Sequence, residues 1–467
     1  MYRKEIEAFI DGHKEEMIQD IFTLCRINSE KMPYEEGMPY GRGAARALSQ
    51  ALAMASGYGF SVNNYDNFVG TADLNDKEKQ LDILAHLDVV PAGEGWQVTE
   101  PFEPVLKDGR LYGRGTADDK GPAVAALYAM RAVKELGIPL SKNVRLILGT
   151  DEECGSSDIA HYYDIEEEAP MTFSPDAAFP VTNVEKGGLK GHFTASFEAS
   201  DALPRLVSLE AGVKVNVVPG KAFAQVEGVS RRELDQAAAE TEARTGVRFV
   251  METTASGTRI TAEGTGAHAA HPEDGNNALT GLIAFLNRLP LAPCRQAELL
   301  QGLGRLFPHG DVHGTALGVD MEDEVSGRLT LAFSMLTITE DSLDGTFDSR
   351  CPICATRENM LETAKAALAE AGMTLDNEAM NPPHYVDGDS HFVQTLLRVY
   401  EEYTGRKGSC QSMGGGTYVH HLKNGVAFGA AMPETDNRMH GADEFAVLDE
   451  LLTSAKIFAQ VIVDLCQ

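Results

Sequence analysis

The chain has 467 residues, 43% of them hydrophobic and 24% charged, with a formal net charge of −30. That length exceeds one ordinary core and predicts two domains. The carboxylate excess excludes nucleic acid, whose phosphates would repel it, and an anionic membrane surface; its plain reading is solubility. Seven cysteines are few and odd in number, which predicts a reducing cytoplasm rather than a disulfide framework. The opening MYRKEIEAFIDGHKEEMIQDIF has charges throughout and lacks the apolar run of a signal peptide. No window approaches the ~20 apolar residues that span a bilayer.

Up to about Leu52 the chain reads as helices, with Ile6, Phe9 and Ile10, then Met17, Ile18, Ile21 and Phe22, at helical spacing. A polar segment with strand-like pieces runs to Leu81. A strand–helix alternation follows. LDILAHLDVV, VRLILGTDEE and MTFSPDAAF are short apolar runs, and GPAVAALYAMRAVKELG is a helix stopped by Gly137 and Pro139. This pattern predicts an α/β domain with a mainly parallel sheet covered by helices on both faces. From about Asn183 to Asn381 the character changes. LKGHFTASFEAS, GKAFAQVEGV and TRITAEGTG alternate like half-exposed strands, with helices at RRELDQAAAETEARTG and PEDGNNALTGLIAFLNRLP. This is an α+β insertion. The α/β character then returns: a helix at SHFVQTLLRVYEEYTG, a strand at VAFGAAMP and a long final helix at EFAVLDELLTSAKIFAQVIVDLC. The expected division is a first catalytic part at 1–183, an inserted lid at 184–381 and a second catalytic part at 382–467.

Ligands of an open α/β sheet collect at the carboxyl ends of its strands. His86 and Asp88 end one run, Asp151 to Glu153 another, and Asp176 a third. Asp118 lies just before a helix beginning near Pro122, and His440 follows the VAFGAAMP strand. Imidazole and carboxylate ligands in this number suit a hydrolytic two-metal centre. The His86-Leu87-Asp88 spacing puts both side chains on one strand face, so Asp88 can orient His86. Asp118, with two oxygens, is the candidate bridge. One of Glu152 and Glu153 binds metal and the other serves as general base. Each motif alone is weak, because a lone His-x-Asp is usually a hydrogen-bonded pair and a DEE run is usually solvated surface.

Taken together, AHLDVVPAGEGW with the PF that follows, GRGTADDKGP and TDEECGS resemble the metallopeptidase-20 family of aminoacylases, deacylases, carboxypeptidases and dipeptidases. SPDAAFPV, VNVVPGKA, GGGTY and MHGADE are most similar to its bacterial V-type, Xaa-His or β-Ala-Xaa, dipeptidases. The resemblance implies a zinc-peptidase α/β domain interrupted by a lid. It implies two Zn2+ ions per chain, replaceable by Mn2+ or Co2+, with Asp118 bridging. His86 and Asp176 complete one site; Glu153 and His440 complete the other. Glu152 is implied as general base and Asp88 as the partner of His86. In the lid, GAHAAHPEDGNNAL makes His268 the implied oxyanion donor, with His271 a nearby extra histidine. Asn216 and Arg350 are implied substrate contacts, although SRCPICAT around Arg350 departs from the family's more acidic and aromatic run. Gly415 and Gly416, in a glycine-rich turn before YVHHLK, are implied to lie beside the substrate.

The implied substrate is a dipeptide or other short peptide with a free C-terminus, cleaved by a monomer. An N-acyl-amino-acid deacylase is the alternative with the same metals and base. A dipeptidase should hold the free α-amino group with an acid such as Asp119; a deacylase should not. A non-catalytic peptide- or metal-binding protein is disfavoured, because both Asp118 and Glu152 are present. Cys351 and Cys354 read as an incidental buried pair, and Trp96 as a packing residue near the rim.

Overall fold

The apolar run that begins at Leu81 lies in the strand Lys79–His86, whose last six residues are all buried. Ile83 and Ala85 belong to one apolar cluster, together with Val124, Tyr128, Phe458 and Ile462. Leu84 belongs to another, with Ile147, Ile159 and Tyr162. Alternate residues thus bury opposite faces, which is why consecutive residues Ile83, Leu84 and Ala85 are all apolar. In the computed structural model, which describes residues 2–467, this strand is central to a nine-stranded sheet. Seven of its strands run in the order Ser61–Tyr65, Val69–Asp73, Asn143–Gly149, Lys79–His86, Met171–Ser174, Gly425–Ala427 and Val181–Glu185. Pairing is parallel among the four strands from Asn143–Gly149 to Gly425–Ala427 and antiparallel on both flanks.

The helices Lys120–Glu135 and Leu448–Cys466 pack on each other and on the central strand. The final helix begins at Leu448 rather than near Glu444, because Phe445–Val447 instead pair antiparallel with Arg110–Tyr112. An aromatic group of Phe173, Phe179 and Phe428 surrounds Phe458, with centroid distances to it of 5.1, 6.3 and 6.1 Å. Phe458 is fully buried. Phe458→Ala removes these contacts and leaves a cavity, an expected loss of about 3–5 kcal/mol, measurable as a lower denaturant midpoint at unchanged slope.

The chain forms two compact units. One comprises the residues up to Val184 with Tyr385–Ser412 and Gly416–Gln467; the other comprises Glu185–His384 with Met413–Gly415. The second is an eight-stranded antiparallel sheet in the order Arg248–Thr254, Gly257–Glu263, Lys221–Glu227, Arg205–Ala211, Thr330–Ile338, Ser342–Cys351, Gly187–Ser196 and Thr374–Leu375. The helix Ala278–Leu286 packs on that sheet and against the helices Arg231–Thr245 and Arg295–Leu306. Asn277 caps its first turn by accepting the Leu279 and Thr280 N–H groups. No helix among the described residues is long and apolar enough to cross a membrane.

Candidate metal centre

Strand register decides where the candidate ligands meet. Lys79–His86 is parallel to both Asn143–Gly149 and Met171–Ser174, and His86 pairs with Gly149. His86, the short turn Glu152–Cys154 and Asp176 therefore emerge at one carboxyl-end rim. Asp118 precedes the helix that starts at Lys120, and His440 arrives from the loop before Phe445. His86 Nε2 is 2.9 Å from Asp118 Oδ1 and 3.7 Å from Asp176 Oδ2. His440 Nε2 is 2.9 Å from Asp118 Oδ2 and 3.3 Å from Glu153 Oε1. The two Asp118 oxygens thus face different imidazoles. In each group, His86–Asp118–Asp176 and Asp118–Glu153–His440, one donor atom per residue lies within 4.8 Å of the others.

The electrostatics of this rim call for positive charge. Burial would lift the Asp118 carboxyl, but hydrogen bonds from His440 and His86 outweigh it and hold the carboxyl below its usual range. Burial would likewise deprotonate His86; hydrogen bonds to Asp118 and Asp88 reverse this and raise it well above an ordinary imidazole. Hydrogen bonds to Asp118 and Glu153 push His440 up to about 10. Desolvation, with the neighbouring Asp118 charge adding to it, raises Asp176 well above its usual value. Protons on the imidazoles would supply compensating charge. Divalent cations would supply it instead, and mixed imidazole and carboxylate donors suit such ions. The residues present therefore fit a metal centre.

Asp88 lies beneath this rim. Its Oδ1 is 3.4 Å from His86 Nδ1, and its carboxylate accepts the N–H groups of Glu152 at 3.2 Å and Glu153 at 3.1 Å. It thus touches His86, as its spacing predicts, and also holds the turn that carries both glutamates. Glu152 is partly buried, and that desolvation pushes its carboxyl up to about 8.

Residues 83–464 match the model of Peptidase family M20/M25/M40. The chain belongs to this family. It is 35% identical over 467 residues to the YtjP protein of Bacillus subtilis (strain 168), covering 99% of each chain. It is 33% identical over 461 residues to the Beta-Ala-Xaa dipeptidase of Lactobacillus delbrueckii subsp. lactis, covering 97% of each. Among solved structures, human carnosine dipeptidase 1 matches with a TM-score of 0.59 at 15% identity, covering 100% of this chain and 99% of that one. Those M20 relationships agree with the family expected from the motifs, and the structural likeness agrees with the α/β fold.

In the second unit of this M20 chain, Asn216 lies next to a short ladder in which Val217 pairs with His268, and its carbonyl accepts the Ala269 N–H at 2.9 Å. His268 is exposed. Its Nδ1 accepts the Ala270 N–H at 3.1 Å, so the proton of the neutral ring sits on Nε2. Partial desolvation and the nearby Arg350 lower its pKa and favour that neutral form. Arg350 donates to Asp348 Oδ2 at 2.9 Å and to the Gly414 carbonyl at 2.7 Å, while its buried Nε has no partner among the described residues. His271 is more exposed than buried and lies 3.9 Å from Glu273. Gly415 and Gly416 fall in the loop between the strand Cys410–Met413 and a single turn of 3-10 helix, Tyr418–His421.

A second expectation fails, after the start of the final helix. Cys351 is buried but Cys354 is exposed, so they are not a buried pair; Cys351 sits at the end of a core strand and Cys354 in the turn beyond it. Trp96 does pack: Arg114 lies 5.5 Å from its ring centre, and its Nε1–H donates to Ala92 O. Sequence reading missed the supports of the glutamate turn. Asp151 is buried and pairs with Lys31 at 2.6 Å. Asp158 accepts the N–H groups of Thr150 and Asp151 and the Tyr418 hydroxyl. No local pattern marks these partners, because Lys31 and Tyr418 lie far from them in sequence.

Proposed function

We infer that this protein is a metal-dependent dipeptidase. The observation that carries this reading is Asp118 facing two imidazole–carboxylate groups at once in a chain of the M20 family. The dipeptidase name of the Lactobacillus relative, similar over nearly its whole length, supports the substrate class. His86, Asp118 and Asp176 would hold one ion, and Asp118, Glu153 and His440 a second. Zinc is the proposed ion, with manganese or cobalt as substitutes, since such donors discriminate weakly among them. The bound ions would polarise the scissile carbonyl and acidify water. Glu152, partly buried beside the ligands yet outside both groups, is the proposed base; it takes the proton of the attacking water and delivers it to the leaving amine. Asp88 keeps His86 and the glutamate turn in place.

In the inserted unit, His268 with its Nε2–H is the proposed donor to the oxyanion. Asn216 and Arg350 are proposed to contact the substrate, with the guanidinium taking its C-terminal carboxylate, and Gly415 and Gly416 to lie beside it. The proposed active species is a single chain. Its seven cysteines, none paired, support a reducing, cytoplasmic setting.

The test is hydrolysis of β-Ala-His, Ala-Leu, Gly-Gly-Leu and N-acetyl-Met by metal-stripped protein, before and after zinc or manganese is restored. The stripped protein is expected to be inactive, and restored metal to return cleavage of the two dipeptides only. Cleavage of N-acetyl-Met would move the chain to the deacylases. Full activity after stripping would overturn the metal reading.

A further inference from the structure

Four residues after His440, Glu444 is completely buried, and so is Arg114, four residues before Asp118. Arg114 Nη1 lies 2.5 Å from Glu444 Oε2. The other Glu444 oxygen, Oε1, accepts three main-chain N–H groups: Gly115 at 3.0 Å, Ala117 at 3.0 Å and Asp118 itself at 3.3 Å. The Glu444 carbonyl accepts a fourth, from Gly113, at 3.0 Å. Arg114 Nη2 reaches the Pro91 and Ala92 carbonyls at 3.3 Å, in the loop after Asp88. One buried ion pair therefore ties together three segments: the loop after His86 and Asp88, the loop that ends in Asp118, and the segment that carries His440. The third needs such support, because Arg438, His440 and Asp443 have φ of 55°, 63° and 56°, in the left-handed region that costs non-glycine residues energy.

We propose that the Arg114–Glu444 pair is a positioning device of the metal centre, setting the spacing between Asp118 and His440 so that both can hold the same ion. This rests on the metal reading above. A pair serving only the fold would not need to bind the N–H of a candidate ligand and of its close neighbours. A buried ion pair contributes little net stability over an apolar replacement, so its presence is better explained by the geometry it imposes. Glu444 touches none of the reacting groups; it acts through the backbone of Asp118. Glutamine at this position keeps one oxygen for the three N–H groups but turns an amide N–H2 toward the Arg114 guanidinium, donor against donor. Alanine removes both functions.

The experiment titrates metal-stripped wild type, Glu444→Gln and Glu444→Ala with Zn2+ against a competing chelator, and records the melting temperature of each before and after loading. Asp73→Asn is the control. It breaks the Arg145 pair, 2.9 Å long, between neighbouring strands at the sheet end opposite the ligands. Zinc affinity is expected to fall about tenfold or more in Glu444→Gln and further in Glu444→Ala, as when groups that support metal ligands are removed. The melting gain on loading should shrink in parallel. Asp73→Asn should melt lower yet bind zinc like the wild type. Wild-type zinc affinity in both Glu444 variants would overturn the positioning role and leave the metal reading standing. An equal loss of affinity in Asp73→Asn would overturn it too, by assigning the effect to general destabilisation. Absence of zinc uptake by the wild type would overturn the metal reading, and the positioning role with it. A variant that does not fold is replaced by Arg114→Lys, which keeps the charge but cannot bridge Glu444 to both Pro91 and Ala92; weaker zinc binding is again expected.

Discussion

Asp118→Asn is expected to abolish zinc uptake at both groups and to lower dipeptide hydrolysis by at least about a thousandfold, the several kcal/mol that a Lewis acid contributes to such a reaction. Asp118 Oδ1 faces His86 and Oδ2 faces His440, at 2.9 Å each. An asparagine keeps one of these acceptors, turns the other into a donor and removes the negative charge between two groups of ligands. His440→Ala differs, because it touches only the group with Glu153. It should leave uptake by His86, Asp118 and Asp176 and so halve the zinc bound. The measurement is zinc content after dialysis, alongside activity. Two zinc ions retained by Asp118→Asn would mean that Asp118 is not shared.

Glu152→Gln is expected to lower kcat by about 10²–10⁴, the usual contribution of a positioned general base, with metal content and melting temperature close to wild type. Glu152 belongs to neither ligand group, so its loss should not release metal. Burial pushes its carboxyl up to about 8, with the Glu153, Asp118 and Asp88 charges adding to this and His86 opposing it. Bound cations would favour the ionised form and bring it down. A base must be ionised, so activity should fall as pH drops through the carboxyl's pKa in the loaded protein, and this acid limb should vanish in Glu152→Gln. A variant with wild-type kcat would exclude Glu152 as the base.

Much of this architecture is written locally. Leu81–Ala85 is apolar except at Asp82 because both faces of its strand are covered, and that pattern is visible before any fold is known. The phrases around His86, Asp118 and Glu152 mark the M20 family directly, since strand ends and helix starts keep short-range chemistry in one stretch of sequence. The start of the last helix was not legible. Phe445–Val447 have an apolar pattern that suits a helix or a strand, and only the Arg110–Tyr112 partner decided between them. Cys351 and Cys354 share a motif but not an environment, because the strand that buries the first ends before the second.

The sequence by itself determined the kinds of donor this protein carries and the strand and helix ends at which they sit. Those follow from residue identity and from periodicity, both local properties. Tertiary structure alone decided that the two oxygens of Asp118 face His86 on one side and His440 on the other. It also decided that Glu444 reaches back to hold the Asp118 backbone, and that Lys31 and Tyr418 brace the glutamate turn. Such distances depend on strand register and on contacts between residues hundreds of positions apart, which no window of sequence contains.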